Sequence, residues 1–361
     1  MNDANELISF IASMSGEGNL RVEENLGEGY VRLRVSEAER RQAKHDIQHV
    51  EDIVIEMLRN ARDAGADKVY LATTKEDGVR TLVFLDNGSG VPQDMQERIF
   101  DARVTSKLES MKMDRWGVHG RGMALFSIKQ NTDEARVVAS DVDLGSVFKV
   151  SVATDRLGER ADQSSWPQAV KDEDGHYVCA RGPHNIIRAA CEFALEELRA
   201  CDVYLGSPSE IAATLHAQAS SHLDASRLLF IDDEAELPVV DRLGLASDAE
   251  DFIRICSGLG LEMSERTAHR ILAGQIKPVR GVTARLLRER DSSSHASAPV
   301  DLAKDRRGLR IAKDDMAQFS RAVERDFNDL ASRYYLNLCG DPKIRVSRDR
   351  ITVTFDLAKE E

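Results

Sequence analysis

The stretch Glu56-Met57-Leu58-Arg59-Asn60-Ala61-Arg62-Asp63-Ala64-Gly65-Ala66 decides how the rest of this chain is read. It has the composition of a helix, and Glu56 and Asn60 are four residues apart, so both project from one face about a turn apart. Two later segments complete the pattern. Asp86-Asn87-Gly88-Ser89-Gly90 follows an apolar strand, Thr81 to Leu85, and Gly117-Val118-His119-Gly120-Arg121-Gly122 leads into a second helix at Met123. A carboxylate, an amide, an Asp at a strand end and a flexible glycine loop, in that order, suit an ATP site built without a P-loop. The chain contains no Gly-x-x-x-x-Gly-Lys-Ser/Thr sequence.

Each segment taken singly has an ordinary alternative. Glu56 with Arg59 makes an exposed helical salt bridge, Asp-Asn-Gly is a turn signal, and Gly120-Arg121-Gly122 fits any loop. Their joint order argues against three coincidences. The three segments resemble the boxes of the GHKL ATPases, the superfamily of gyrase B, heat-shock chaperones, histidine kinases and MutL. The resemblance covers roughly Gly29 to Val152.

The resemblance implies roles residue by residue. Glu56 matches the carboxylate that activates water, Asn60 the Mg²⁺ ligand, Asp63 the polar residue one turn later, and Asp86 the group that recognises the adenine amino group. Gly88 and Gly90 match the glycines that shape the base pocket. Gly117, Gly120 and Gly122 match the phosphate lid, whose spacing is similar to that of the topoisomerase VI B subunit. Thr105-Ser106-Lys107 resembles the Thr-Ser-Lys of MutL, and Gly145-Ser146-Val147-Phe148 a late strand box. Lys107 and Arg121 would add charge facing the phosphates. A further Lys reaching the γ-phosphate is implied by gyrase-like relatives; Lys304, Lys313 and Lys343 are equal candidates, and none sits in a motif.

Size and composition set the outer bounds. A chain of 361 residues has room for two or three domains. It is 42% hydrophobic and 31% charged, which fits a soluble protein with real cores. No apolar run approaches the ~20 residues of a membrane span, and the N-terminus has no basic cluster of a secretory signal, so the expected location is cytoplasmic. Five scattered cysteines form no Cys-x-x-Cys and are read as buried thiols. A net charge of −13, from 49 basic and 62 acidic residues, argues against coating nucleic acid through bulk charge.

Along the chain, residues 1–28 read as an N-terminal segment or strap, and 29–220 as the ATP-binding domain. Within the latter we expect a strand over Gly29–Val35 and one long helix from about Ser36 to Ala64. Strands at Lys68–Thr74 and Val79–Leu85 are joined by Asp77-Gly78. A helix opens at Pro92, Phe100–Trp116 is irregular, and strands follow at Ala135–Ser140 and Ser146–Val152. Asp155–Gly182 is a loop-rich excursion, Ile186–Arg199 a helix, and Asp202–Gly206 a strand before the helix start Ser207-Pro208-Ser209-Glu210. His45 and His49 read as helix-surface residues, because His45 lies too close to Asn60 to be a separate phospho-acceptor.

A second motif lies at 240–290. Leu259 to Pro278 resembles the helix-turn-helix of the Cro/repressor class, with Gly260 in the turn, Ser264 as cap and Gly274 past the helix end. Arg266, His269 and Arg270 on the second helix would contact phosphates and base edges of DNA. The alternative is a plain helical hairpin packed on the ATPase domain. Asp291–Ser297 reads as a linker, and 301–361 as a small α/β domain with a helix over Asp314–Tyr335 and a hairpin over Lys343–Phe355.

The expected fold class is therefore α+β: a GHKL (Bergerat) α/β sandwich, then a helical module, then a small α/β domain. The expected function is Mg²⁺-dependent ATP binding with slow hydrolysis, lid closure and ATP-dependent homodimerisation being coupled to a DNA or protein partner. The alternatives are an ATP-sensing regulator without turnover and a protein kinase of the anti-sigma type.

Overall fold

The computed structural model describes residues 22–106, 112–114, 117–119, 122–223, 231 and 233–287, and, towards the C-terminus, 316, 319–320, 323–324, 327, 336–338, 340, 342–346 and 351–359. The chain divides into two compact units, Met1–Ser292 and Ser293–Glu361. Among the described residues no helix is long and apolar enough to cross a membrane.

The described residues begin with a hairpin, β1 (Val22–Gly27) and β2 (Tyr30–Leu33), followed by helix α1 (Glu37–Asp46). Ser36 caps α1 by accepting from the Glu39 N–H, and the Glu39 carboxylate returns to the Ser36 N–H, a reciprocal capping box. The single helix expected over Ser36–Ala64 is two helices. Ile47 is extended, His49 caps the second, and α2 runs Val50–Asp63. The physical cause is Asp52, whose carboxylate accepts the N–H groups of Gln48 and His49 at 3.0 and 2.9 Å. Those two donors are thereby withdrawn from any continuous helical ladder.

A five-stranded mixed sheet is the centre of the first unit. Its order is β12 (Asp202–Gly206), β3 (Lys68–Glu76), β4 (Val79–Asp86), β9 (Ser146–Ala153), β8 (Glu134–Ser140). The β12–β3 pair is parallel and the others are antiparallel. Asp77 and Gly78, with φ of 48° and 79°, make the tight reversal between β3 and β4.

Both faces of this sheet are covered. On one face Val69, Leu71, Leu82, Phe84, Phe148 and Val150 join a core with Val50, Ile53, Val54, Met57, Leu58 and Ala61 of α2. Ile128 of α3 (Ala124–Asn131) and Ile186, Ala190 and Phe193 of α4 (Ile186–Glu196) complete it. On the other face Tyr70, Ala72, Val83, Leu85 and Val147 join a second core. There they meet Ile211 and Leu215 of α5 (Pro208–His222), Phe252 and Ile255 of α6 (Ala249–Gly258), and Ala268 and Ile271 of α7 (Glu265–Leu272). Alternate residues of one strand thus serve two cores, which is why β4 reads as an unbroken apolar run. Burial of each large side chain contributes roughly 1.5–3 kcal/mol.

Smaller sheets flank the main one. β1, β2 and β5 (Val104–Thr105) form a three-stranded sheet, and β6 (Lys112–Asp114) pairs with β7 (Gly117–His119). The excursion after β9 contains a hairpin of β10 (Gln168–Lys171) and β11 (Tyr177–Arg181). Cys179, Cys191, Cys201 and Cys256 are buried. In the second unit β13 (Leu336–Leu338) pairs with β16 (Leu357–Lys359), and β14 (Lys343–Val346) with β15 (Ile351–Thr354). The Phe327 and Phe355 rings stack there at 3.9 Å. Residues 347–350, between β14 and β15, lie outside the described residues.

Candidate functional site

A cleft of about 590 Å³ opens beside α2 on the first face of the sheet. Helical spacing turns the apolar stripe of α2 inward and leaves Glu56, Asn60 and Asp63 along its edge, all lining the cleft. Asp86, the last residue of β4, lines it too, with Gly90. The structure therefore brings together Glu56, Asn60, Asp63, Asp86, Gly90, Thr105 and Gly122 in one cavity wall.

Asp86 is 4% exposed, and its Oδ1 accepts the Gly88 N–H at 2.9 Å. The loop that follows is held from two sides. Ser89 N–H donates to the Ala64 carbonyl at 2.9 Å, at the end of α2. Asn87 Oδ1 accepts the N–H groups of Asp67 and Lys68. Gly90 has φ of +70°, and a Cβ there would lie 1.8 Å from the Asp141 carbonyl oxygen, so no other residue fits without moving backbone. These glycines let the loop pack against its neighbours.

The roof comes from elsewhere in the chain. β2 pairs with β5 through Val31–Thr105 and Arg32–Val104, which carries Thr105 and Ser106 to the cleft. The Arg103 N–H bonds the Gly122 carbonyl at 2.8 Å, fixing the base of the glycine segment. Arg103 has φ of +61°, and its guanidinium pairs with Glu39 of α1. Gly117 sits in β7, opposite Asp114 in a short hairpin within a stretch expected to be irregular or a phosphate loop. Lys107, Gly120 and Arg121 lie outside the described residues, as do Lys304 and Lys313. Lys343 is in β14, with its Nζ 2.6 Å from Asp356.

Several lining residues carry no local sequence signal. Tyr30 of β2, Gln42 and Asp46 of α1, Arg59 of α2 and Ser127 of α3 all face the cleft. Burial raises the pKa of the Tyr30 phenol, against a hydrogen bond with Ser106 that lowers it. Asp63 accepts from Arg62 at 3.2 Å, and Arg62 also reaches Glu197 at 3.2 Å. Glu56 accepts from Arg59 at 2.7 Å. The Glu56–Arg59 salt bridge is thus present but is not exposed: the Arg59 side chain is buried, and both residues line the cleft. His49 is the cap of α2, and its side chain is 37% exposed.

Asn60 Nδ2 is buried and has no hydrogen-bond partner among the described residues. Rotation of the terminal amide exchanges Nδ2 for Oδ1. The same position in the wall then offers an oxygen, the ligand type a hard divalent cation takes. Among the described residues, the charged groups lining the cleft are Asp46, Glu56, Asp63 and Asp86 against Arg59. That balance favours cations over a bare anion, and burial makes the imbalance costly.

The helical segment over the second face has its own exposed surface. Ser264 caps α7 by accepting from the Thr267 N–H, and Ala268 and Ile271 are buried. Arg266, His269 and Arg270 lie exposed on the opposite side, with His269 3.7 Å from Glu265. The connection between α6 and α7 is residues 259–264, longer than the three or four residues of a DNA-reading helix-turn-helix.

Residues 47–140 match the family described as histidine kinase-, DNA gyrase B-, and HSP90-like ATPase. The chain is also similar to the DNA mismatch repair protein MutL of Staphylococcus aureus strains Newman, JH1 and N315. Identity is 28% over 136 residues in each case, covering 35% of this chain and 20% of MutL. The chain thus matches about a fifth of the length of these curated relatives.

Proposed function

Because this chain is a member of the GHKL superfamily through its residues 47–140, we propose that it binds ATP in the cleft beside α2 and hydrolyses it slowly. The observation that carries this reading is the convergence of Glu56, Asn60 and Asp63 from one helix edge with Asp86 from a strand end around a single cavity. Asp86, fixed by its own loop, suits an acceptor for the amino group of a purine base. Gly90 and Gly122 line the walls around it, and Gly88 holds the Asp86 carboxylate through its N–H. Thr105 and the Lys107, Gly117, Gly120 and Arg121 segment would cover the phosphates.

An acidic cleft needs positive charge to hold a triphosphate. Asn60 would hold Mg²⁺, which when bound neutralises phosphate charge, and Lys107 and Arg121 would add cationic contacts. Glu56 would take a proton from a water whose oxygen bonds to the γ-phosphorus as the bond to the bridging oxygen breaks. The products are ADP and inorganic phosphate. General-base assistance of this kind is worth about 10²–10⁴-fold.

The partner side of the proposal rests on other features. The exposed Arg266, His269 and Arg270 of α7 support DNA contact, similarity to a DNA mismatch repair protein supports coupling of nucleotide state to DNA, and the GHKL resemblance supports coupling to a second copy of the chain.

The test is Mg·ATP binding and phosphate release for the wild type, Glu56→Gln and Asp86→Asn. We expect Glu56→Gln to bind ATP without turnover, and Asp86→Asn to lose at least tenfold in affinity. Turnover by Glu56→Gln at the wild-type rate sinks the catalytic reading, and unchanged affinity in Asp86→Asn sinks the base-pocket reading. Label from the γ-phosphate arriving on a partner protein instead of in water would reassign the activity as a kinase.

A further inference from the structure

Glu56 does not stand alone in the cleft wall. Its Oε1 accepts a 2.7 Å hydrogen bond from Arg59 Nη1, one turn along α2, and both residues line the cavity. The partners are buried unequally, the Arg59 side chain being 3% exposed and that of Glu56 22%. A pair of this spacing on an open helix surface exchanges freely with solvent and contributes little. A guanidinium sealed into the wall loses that freedom. Its planar donors point in set directions, so the carboxylate that meets them is set too.

The remaining charged groups of the cavity do not replace it. Asp46 from α1, Asp63 from α2 and Asp86 from β4 are carboxylates, and Tyr30 from β2 contributes a phenol. Asp63 accepts from Arg62. Among the described residues Arg59 is the one cation lining this cavity. It meets Glu56 in a wall that also carries the carboxylates of Asp46, Asp63 and Asp86.

We propose that Arg59 is a positioning residue for Glu56. It anchors one carboxylate oxygen at the wall so that the carboxylate meets the attacking water in one orientation. The proposal rests on the reading of Glu56 as the general base. It assigns Arg59 no contact with nucleotide, so its effect falls on turnover and not on affinity. A misplacement of about 1 Å in a reacting group costs as much as 10²-fold in rate.

The experiment uses the full chain and Mg·ATP, with phosphate release giving kcat and KM and direct titration giving the dissociation constant. Wild type, Arg59→Met, Arg59→Lys, Glu56→Gln and the double variant Arg59→Met/Glu56→Gln are compared. We expect Arg59→Met to lower kcat about 10- to 100-fold with KM and affinity within about threefold of wild type. Arg59→Lys, keeping the charge but not the planar fork, should fall between the two. The double variant should be no slower than Glu56→Gln, as expected for residues acting through one group.

Wild-type turnover in Glu56→Gln removes the general-base reading and the proposal with it. A dead Glu56→Gln beside a fully active Arg59→Met removes the proposal alone. A tenfold loss of Mg·ATP affinity in Arg59→Met at unchanged kcat makes Arg59 a phosphate ligand and also overturns it. Should Arg59→Met fail to fold, Arg59→Lys decides: reduced kcat at unaltered KM supports the proposal, and wild-type kcat overturns it.

Discussion

The two faces of the central sheet are built from the same strands and end up with opposite characters. On the second face, α5, α6 and α7 bring Ile211, Phe252, Ile255 and Ile271, and the α6–α7 connection brings Leu261, onto Tyr70, Val83 and Leu85, and the space closes. On the first face, α2 packs its apolar stripe equally well but stands at the edge of a cavity lined by four carboxylates. Stability and chemistry are thus divided between faces. The open side keeps Asp86 at 4% exposure and an Asn60 Nδ2 without a hydrogen-bond partner among the described residues. Such polar burial is tolerated only where something else holds the fold.

The most severe way to break this contrast is Phe252→Ala. Phe252 is fully buried in the closed face, edge-on to His216 at 5.5 Å between ring centroids. Its truncation should cost about 3–5 kcal/mol in urea unfolding. A cost below about 1 kcal/mol would mean that the closed face does not anchor the unit.

A smaller effect is expected at the far end of the open face. Glu159 accepts from Lys75 and Arg80, at 2.9 and 2.7 Å. Burial raises its pKa, but these hydrogen bonds and charges outweigh it, and the pKa lies below the ordinary 4.5. A depressed folded pKa means stability present above the unfolded pKa and lost as pH falls through the folded value. Glu159→Gln should therefore cost about 2 kcal/mol at pH 7. That difference from wild type should shrink below the ordinary pKa of 4.5. Equal losses at pH 7 and in acid would show that size and shape, and not charge, matter there.

The smallest stability effect belongs to the outer surface of the closed face. Arg266→Ala with Arg270→Ala should change unfolding by no more than about 0.5 kcal/mol. DNA affinity should fall, and its salt dependence flatten, because fewer counterions are released. Unaltered affinity and salt slope would leave α7 as packing alone.

The strands and the cavity differed in how far they could be read from the chain. Asp77-Gly78 and the Ser207/Glu210 cap are local devices, and both occur where the sequence implied them. Glu56, Asn60 and Asp63 share a helix edge by spacing alone, so their common placement followed from periodicity. The break before α2 was hidden because Ala43, Ile47, Val50 and Val54 continue a helical apolar stripe straight through it. Only the bonds from Asp52 to two backbone N–H groups interrupt the ladder. Tyr30, Asp46 and Arg59 reach the cavity through β-pairing, that break and helix rotation, which no single window of residues encodes. The unbroken run Leu82-Val83-Phe84-Leu85 did carry a sign that both faces are covered, in its apolar residues of both parities.

The bond from Ser89 N–H to the Ala64 carbonyl has a consequence for how such a pocket diversifies. It acts as a ruler made only of main chain, joining the helix that bears the acids to the loop after the strand that bears Asp86. Side chains on either element can be exchanged without resetting the gap between them. Ligand preference is then free to drift while the span of the pocket stays constant.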